Sequence, residues 1–209
     1  MAQAAAGRFI TIEGSEGVGK STNMQFIGDY LDAHGQSVLI TREPGGTPVA
    51  ERIREVLLQS PVGSMTDRCE LLLMFAARAD HVAQVIRPAL ERGDWVLCDR
   101  FTDATYAYQG GGRGMSDRDI GQLEQFVLRG LVPDLTILLD APPEISLARR
   151  HSRGISDRFE AEEAAFFARV REKYLERARL EPARVKRVDA SGSLEEVQAL
   201  LRNILDGIL

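Results

Sequence analysis

Apolar positions along the chain fall into short, largely apolar runs that alternate with longer amphipathic stretches of helical, three-and-four spacing. The short runs are rich in β-branched residues and are bounded by glycine, proline or polar turns, so they read as strands. They are Phe9-Ile10-Thr11-Ile12, Ser37-Val38-Leu39-Ile40-Thr41, Trp95-Val96-Leu97-Cys98, Leu135-Thr136-Ile137-Leu138-Leu139 and the weaker Val185-Lys186-Arg187-Val188. Between them the spacing predicts helices near Gly19–Ala33, Val49–Leu58, Asp67–Arg92, Asp117–Leu128, Pro143–Arg150, Ala161–Arg179 and Leu194–Leu205. Strands separated by helices imply an α/β architecture: a five-stranded, mainly parallel sheet with helices on both faces, in three layers. Pro44-Gly45-Gly46 ends the second strand, and the glycine-rich Gln109–Gly114 reads as a loop.

The chain has 209 residues, and without repeats or low-complexity linkers it reads as a single domain over 1–209. Charge changes the picture little at first. Lys+Arg 26 against Asp+Glu 31 gives a net charge of −5, which argues against a general nucleic-acid binder or a polybasic membrane-surface protein. Only three of the basic residues are lysines: Lys20, Lys173 and Lys186. Codon usage accounts for such a bias; the alternative is that some arginines grip phosphates, for which the planar guanidinium fork is suited. Cys69 and Cys98 are too few for a disulfide framework and lack metal spacing, so both read as small buried apolar residues. His34, His81 and His151 form no metal or triad pattern. The Ala-rich start is too short for a signal segment, and no apolar stretch approaches a membrane span; these features point to the cytoplasm.

Gly14-Ser15-Glu16-Gly17-Val18-Gly19-Lys20-Ser21 matches G-x-x-x-x-G-K-[ST], directly after a predicted strand and opening a predicted helix. In such a P-loop the glycines let backbone N–H groups converge on phosphate oxygens, and the helix N-terminus adds favourable partial charge. Gly14 to Thr22 is therefore the candidate ATP site, with Lys20 at the β- and γ-phosphates and Ser21 as a Mg²⁺ ligand. A base-reading N-K-x-D element is missing, since none of the three lysines follows an asparagine, which argues against a switch GTPase.

Several further segments together resemble the bacterial thymidylate kinases. They are Ile12-Glu13-Gly14-Ser15-Glu16-Gly17, Thr41-Arg42-Glu43-Pro44-Gly45-Gly46-Thr47, Phe75-Ala76-Ala77-Arg78, Asp99-Arg100-Phe101 and Ala107-Tyr108-Gln109-Gly110-Gly111-Gly112-Arg113-Gly114. The resemblance runs from about Phe9 to Ile204 in the expected order. It implies a P-loop NTPase fold with a short Arg-rich lid, and transfer of the γ-phosphate of ATP to dTMP, giving dTDP and ADP for dTTP biosynthesis. It also implies a homodimer, for which Leu71–Ala77 and Asp117–Leu128 are candidate interface segments.

The resemblance assigns roles residue by residue. Arg100 and Arg54 hold the acceptor phosphate, and Asp99 takes a Walker B position facing the Mg²⁺ water shell. Glu43 contacts the acceptor nucleotide or a Mg²⁺-bound water, and Pro44 bends the backbone to make room. Arg78, Thr105, Tyr108 and Gln109 face the thymine; at helical spacing residues 105 and 109 share a face. The family places a stacking Phe four residues before Arg78, where this chain has Met74 with Phe75 beside it. Either the Met74 sulfur covers the base or Phe75 turns inward.

Glu16 inside the P-loop would repel phosphates unless it faces elsewhere, and the family points such an acid at the sugar 3′-hydroxyl. Chains of that kind supply their assisting arginines from the lid. Here Arg149, Arg150, Arg153 and Arg158 flank Gly154-Ile155-Ser156, giving a lid near 149–160 with Arg153 on the transferred phosphate. The catalytic set implied is Lys20, Arg153, Arg100 and Glu16. Asp189-Ala190-Ser191 is a candidate adenine loop. The same lid stretch, taken on its residues alone, also fits an ordinary solvated connection.

Overall fold

The computed structural model describes residues 7–61, 63–151, 159 and 162–209, with backbone alone at 147, 148, 150 and 151. Five strands form one sheet: β1 (Phe9–Glu13), β2 (Val38–Arg42), β3 (Trp95–Asp99), β4 (Leu135–Asp140) and β5 (Val185–Asp189). All pairings are parallel, in the order β2-β3-β1-β4-β5. β1, β3 and β4 are buried along nearly their whole length, whereas edge strand β2 leaves Ile40 45% exposed. That burial explains why the central strands read as largely apolar runs rather than alternating ones.

Strand parity decides what each face meets. Ile10 and Ile12 of β1 pack with Leu97, Ile137 and Leu139 against α1 (Lys20–Ala33) and α9 (Leu194–Asp206), through Ile27, Leu31, Leu201 and Leu205. The opposite parity sends Phe9 toward Val96, Cys98 and Phe101, and joins Thr11 to Thr136 by a 2.7 Å hydroxyl pair. α9 starts on a capping box, Ser193 with Glu196. α2 (Pro48–Gln59) is capped by the Thr47 hydroxyl, with proline in its first turn, so it begins slightly before the predicted Val49.

The predicted Asp67–Arg92 helix is present in three joined pieces: α3 (Asp67–His81), a π-helical stretch Val82–Ile86 and α4 (Arg87–Glu91). Another expectation fails. Gln109–Gly112 is not loop but belongs to a π-helical stretch, Tyr106–Gly112, that continues α5 (Thr102–Thr105). Its glycines serve close helix approach, not turn geometry. A Cβ at Gly111 would lie 2.8 Å from the Arg169 carbonyl oxygen, and one at Gly112 would lie 2.4 Å from the Phe166 ring. These positions let α8 (Ala164–Leu180) lie directly on the stretch, placing Phe166, Val170 and Tyr174 in one buried cluster with Tyr108. α6 (Asp117–Leu128) and α7 (Pro143–His151) complete the layers.

Cys98 is buried as expected, but Cys69 is exposed: it lies on the α3 face opposite Leu71 and Phe75, which carry that helix's core contacts. Among the described residues no helix is long and apolar enough to cross a membrane.

Candidate functional site

The carboxyl ends of β1, β2 and β3 meet at one edge, where α/β sheets bind ligands. Register brings Ile12 and Arg42 level with Asp99, and the next amides cross over: Glu43 N–H donates to the Asp99 carbonyl (2.9 Å) and Arg100 N–H to that of Ile12 (3.0 Å). Gly14, Gly17 and Gly19 have φ of 138°, 81° and 93°, which only glycine adopts without strain, so the P-loop wraps back over the start of α1. Lys20 is buried and donates to the carbonyls of Gly14 (3.3 Å) and Ser15 (3.4 Å). Desolvation, together with the nearby Arg100 charge, lowers its pKa. Ser21 and Thr22 are exposed at the helix start.

Arg100 is one of two non-glycine residues with positive φ among the described residues, at 70°. Its guanidinium donates to the Gly14 carbonyl (2.9 Å), the Tyr174 hydroxyl (3.1 Å), the Tyr108 hydroxyl (3.0 Å) and the Glu16 carboxylate. It also lies over the Tyr108 ring, 4.8 Å from its centroid. Burial by itself would raise the Glu16 carboxyl, but Arg100 and Lys20 outweigh it and hold that group at about 2. Arg100 forms its ion pair with Glu16. Asp99 instead keeps a buried Oδ1 without a hydrogen-bond partner.

The second wall is built around Glu43. Both carboxylate oxygens are engaged: Oε2 accepts from Arg78 Nε (2.6 Å) and Oε1 pairs with His81 Nδ1 (3.0 Å). His81 is fully buried, and its Nε2 lies 2.7 Å from the Thr41 hydroxyl. Arg78 is 3% exposed, so its charged end does not reach for solvent; it also donates to the Thr105 hydroxyl and the Phe101 carbonyl, both at 3.0 Å. Glu43 thus orients Arg78. Arg54 donates to the Pro44 carbonyl (2.8 Å), and Gln109 donates from Nε2 to Glu70 (2.7 Å).

These walls line an open cleft. The structure brings Glu16, Glu43, Pro44, Arg54, Met74, Arg78, Arg100, Thr105, Tyr108 and Gln109 to its lining. Of the sequence-expected acceptor residues, Phe75 alone stays out. It is 2% exposed in a cluster with Leu71, Tyr106 and Ile120, beneath the Arg78 guanidinium at 4.9 Å. Sequence reasoning missed Leu58, Phe101, Ala104 and Phe159, which also line the cleft. The spacing of 101, 104, 105, 108 and 109 carried the signal for two of them, once the segment is read as helical.

A separate groove lies beside the P-loop, lined by Val18, Gly19, Thr22, Asn23, Arg149, Ala190 and Gly192 among others. Arg149 donates to the carbonyls of Ala190 (2.8 Å) and Gly192 (3.5 Å), which ties α7 to the segment after β5. Arg153, Arg158 and Gly154-Ile155-Ser156 lie outside the described residues, as does the Arg150 side chain. Among the described residues no cluster of three or more His, Cys, Asp or Glu side chains could hold a metal by itself.

Sequence and structure comparisons agree on one family. Residues 12–201 match the family model described as thymidylate kinase. The thymidylate kinase of Pseudomonas syringae pv. syringae is 60% identical over 203 residues, covering 97% of each chain. That of Chromohalobacter salexigens is 60% identical over 195 residues, covering 92% of each. The crystal structure of thymidylate kinase from Ehrlichia chaffeensis matches with a TM-score of 0.78 at 31% identity, covering 96% of this chain and 99% of that one.

Proposed function

The chain belongs to the thymidylate kinase family and transfers the γ-phosphate of ATP to dTMP, giving dTDP and ADP, and we propose how its residues divide that work. The observation that carries the division is the placement of Glu16 and Arg100, which lie at the P-loop and also line the cleft between the two walls. dTMP occupies the cleft, with its phosphate on Arg100 and Arg54 and its base against Arg78, Thr105 and Gln109. Met74 covers the base, because it lines the cleft while Phe75 is spent in the core. Glu16 faces the sugar 3′-hydroxyl and Tyr108 closes the same side.

ATP lays its phosphates along Gly14 to Thr22, with Lys20 at the β- and γ-groups. Its adenine fits the groove at Arg149 and Ala190. Arg153 acts on the transferred phosphate, supported by Arg158 and by Arg149, whose guanidinium donates to the Ala190 and Gly192 carbonyls beside the P-loop. The orphaned Asp99 Oδ1 and the exposed Ser21 hydroxyl suit Mg²⁺, Ser21 directly and Asp99 through water. When bound, that ion neutralises charge on the donor phosphates. No general base is required, because the attacking oxygen is an already anionic phosphate. The protein's task is in-line positioning and charge stabilisation.

The chain acts as a single domain in the cytoplasm, without nucleic-acid or membrane partners, and as a homodimer. Leu71, Phe75 and Ala77 are buried within the chain, so the dimer face is the other side of α3, with exposed Cys69, Leu72, Ala76 and Ala79, and Phe126 of α6. The lid assignment is tested by steady-state kinetics of Arg153→Ala. The expected loss in kcat is about a hundredfold, the scale of one lost preorganised donor. Unchanged turnover would sink it.

A further inference from the structure

Glu13 ends β1 immediately before the P-loop, is fully buried and lines none of the clefts described above. Its two oxygens point to the same neighbour by different routes. Oε1 accepts from the Phe101 N–H (2.6 Å), the amide that follows Arg100. Oε2 accepts from the Tyr174 hydroxyl (2.8 Å), and that hydroxyl accepts in turn from Arg100 Nη1 (3.1 Å). Arg100 needs such a grip. Left-handed backbone in a non-glycine residue is unfavourable and persists only where its surroundings impose it.

We propose that Glu13 and Tyr174 are positioning residues for Arg100, one holding its backbone turn and both, in series, aiming its guanidinium into the acceptor cleft. Tyr174 sits on α8, the helix that follows the Arg-rich segment, so the same bond anchors that helix to the reaction centre. The environment of Glu13 is consistent with a placement kept for geometry. Burial, with the Asp103 charge adding to it, pushes its carboxyl up to about 7 even though Arg100, Tyr174 and the Phe101 amide favour the ionised form. This inference rests on the reading that Arg100 holds the dTMP phosphate.

The test is a double-mutant cycle in the full chain, with Tyr174→Phe and Arg100→Ala made singly and together. Tyr174→Phe removes one oxygen and keeps the ring. It is expected to lower kcat/KM for dTMP about tenfold, the scale of a hydrogen bond to a charged group, while leaving KM for ATP within twofold. In the Arg100→Ala background the same change is expected to have no further effect. Glu13→Gln, whose amide can still accept from Phe101 and donate to Tyr174, is expected to retain more activity than Glu13→Ala. An equal loss from Tyr174→Phe in both backgrounds, or no loss in either, would overturn the proposal. Wild-type kcat/KM in Arg100→Ala alone would overturn the phosphate reading itself, and this inference with it.

Discussion

Replacing Arg100 by alanine is expected to lower kcat/KM for dTMP about a thousandfold, with KM for ATP little changed, as read from initial rates with each substrate varied in turn. The size follows from how many jobs converge on one side chain. Arg100 bonds the P-loop carbonyl of Gly14, pairs with Glu16 and lines the cleft, so in the proposed arrangement its charge would lie between donor and acceptor phosphates. Two anions must be brought together for in-line transfer, and a buried guanidinium offsets their repulsion more strongly than solvent does. Removing it also leaves Glu16 with the desolvation that raises its pKa and without the first of the charges that lower it. The carboxylate would then add repulsion where attraction is needed. Loss confined to KM, with kcat intact, would mean that Arg100 binds dTMP equally in ground and transition states.

The second large effect is expected from Lys20→Met, which should cut kcat about a thousandfold while dTMP binding, followed by calorimetry without ATP, stays within a few-fold. Methionine keeps most of the apolar stem of lysine and removes the ammonium, with both its charge and its hydrogen bonds to Gly14 and Ser15. Lys20 is buried with its ammonium turned back onto Gly14 and Ser15, poised over the loop that cradles the phosphates. It does not line the dTMP cleft, so the acceptor site should be spared. Equal loss of dTMP affinity would contradict the separation of the two sites. Burial and the Arg100 charge already disfavour the charged form of Lys20, and an incoming polyphosphate would relieve that.

Much of this arrangement was legible in the chain because its signals are local. The P-loop declares itself in eight consecutive residues between a strand and a helix, and the buried central strands show as short, largely apolar runs. Residues 105 and 109 share a face at helical spacing, the resemblance adds Tyr108, and the observed cleft gathers all three. Other features depend on contacts between distant segments and left no local trace. Met74 and Phe75 are adjacent, and only the docking of α3 on Tyr106 and Ile120 decides which one turns inward. Gln109–Gly114 looked like loop because its glycines suggested turns. Of these residues only Gly114 has positive φ, while Gly111 and Gly112 make room for α8.

His81 read as an unremarkable isolated histidine. Its partners Thr41 and Glu43 lie about forty residues earlier, so no spacing rule could reveal it as a support for the Glu43 carboxylate that holds Arg78. Glu13 and Tyr174 are separated by 161 positions, and Arg100 joins them only in three dimensions. The lopsided use of arginine proved more telling by location than by number: Arg54, Arg78 and Arg100 converge on one cleft of a chain whose net charge is −5.

The central claim, that this cleft selects thymidylate and presents its phosphate to ATP, is tested most directly by ADP formation with dTMP, dUMP, UMP and CMP compared side by side. The account predicts ADP release that depends on added monophosphate and is fastest with dTMP, since Arg78, Thr105 and Gln109 frame a pocket for its base. Equal rates on CMP and dTMP, or ADP release indifferent to any monophosphate, would contradict it.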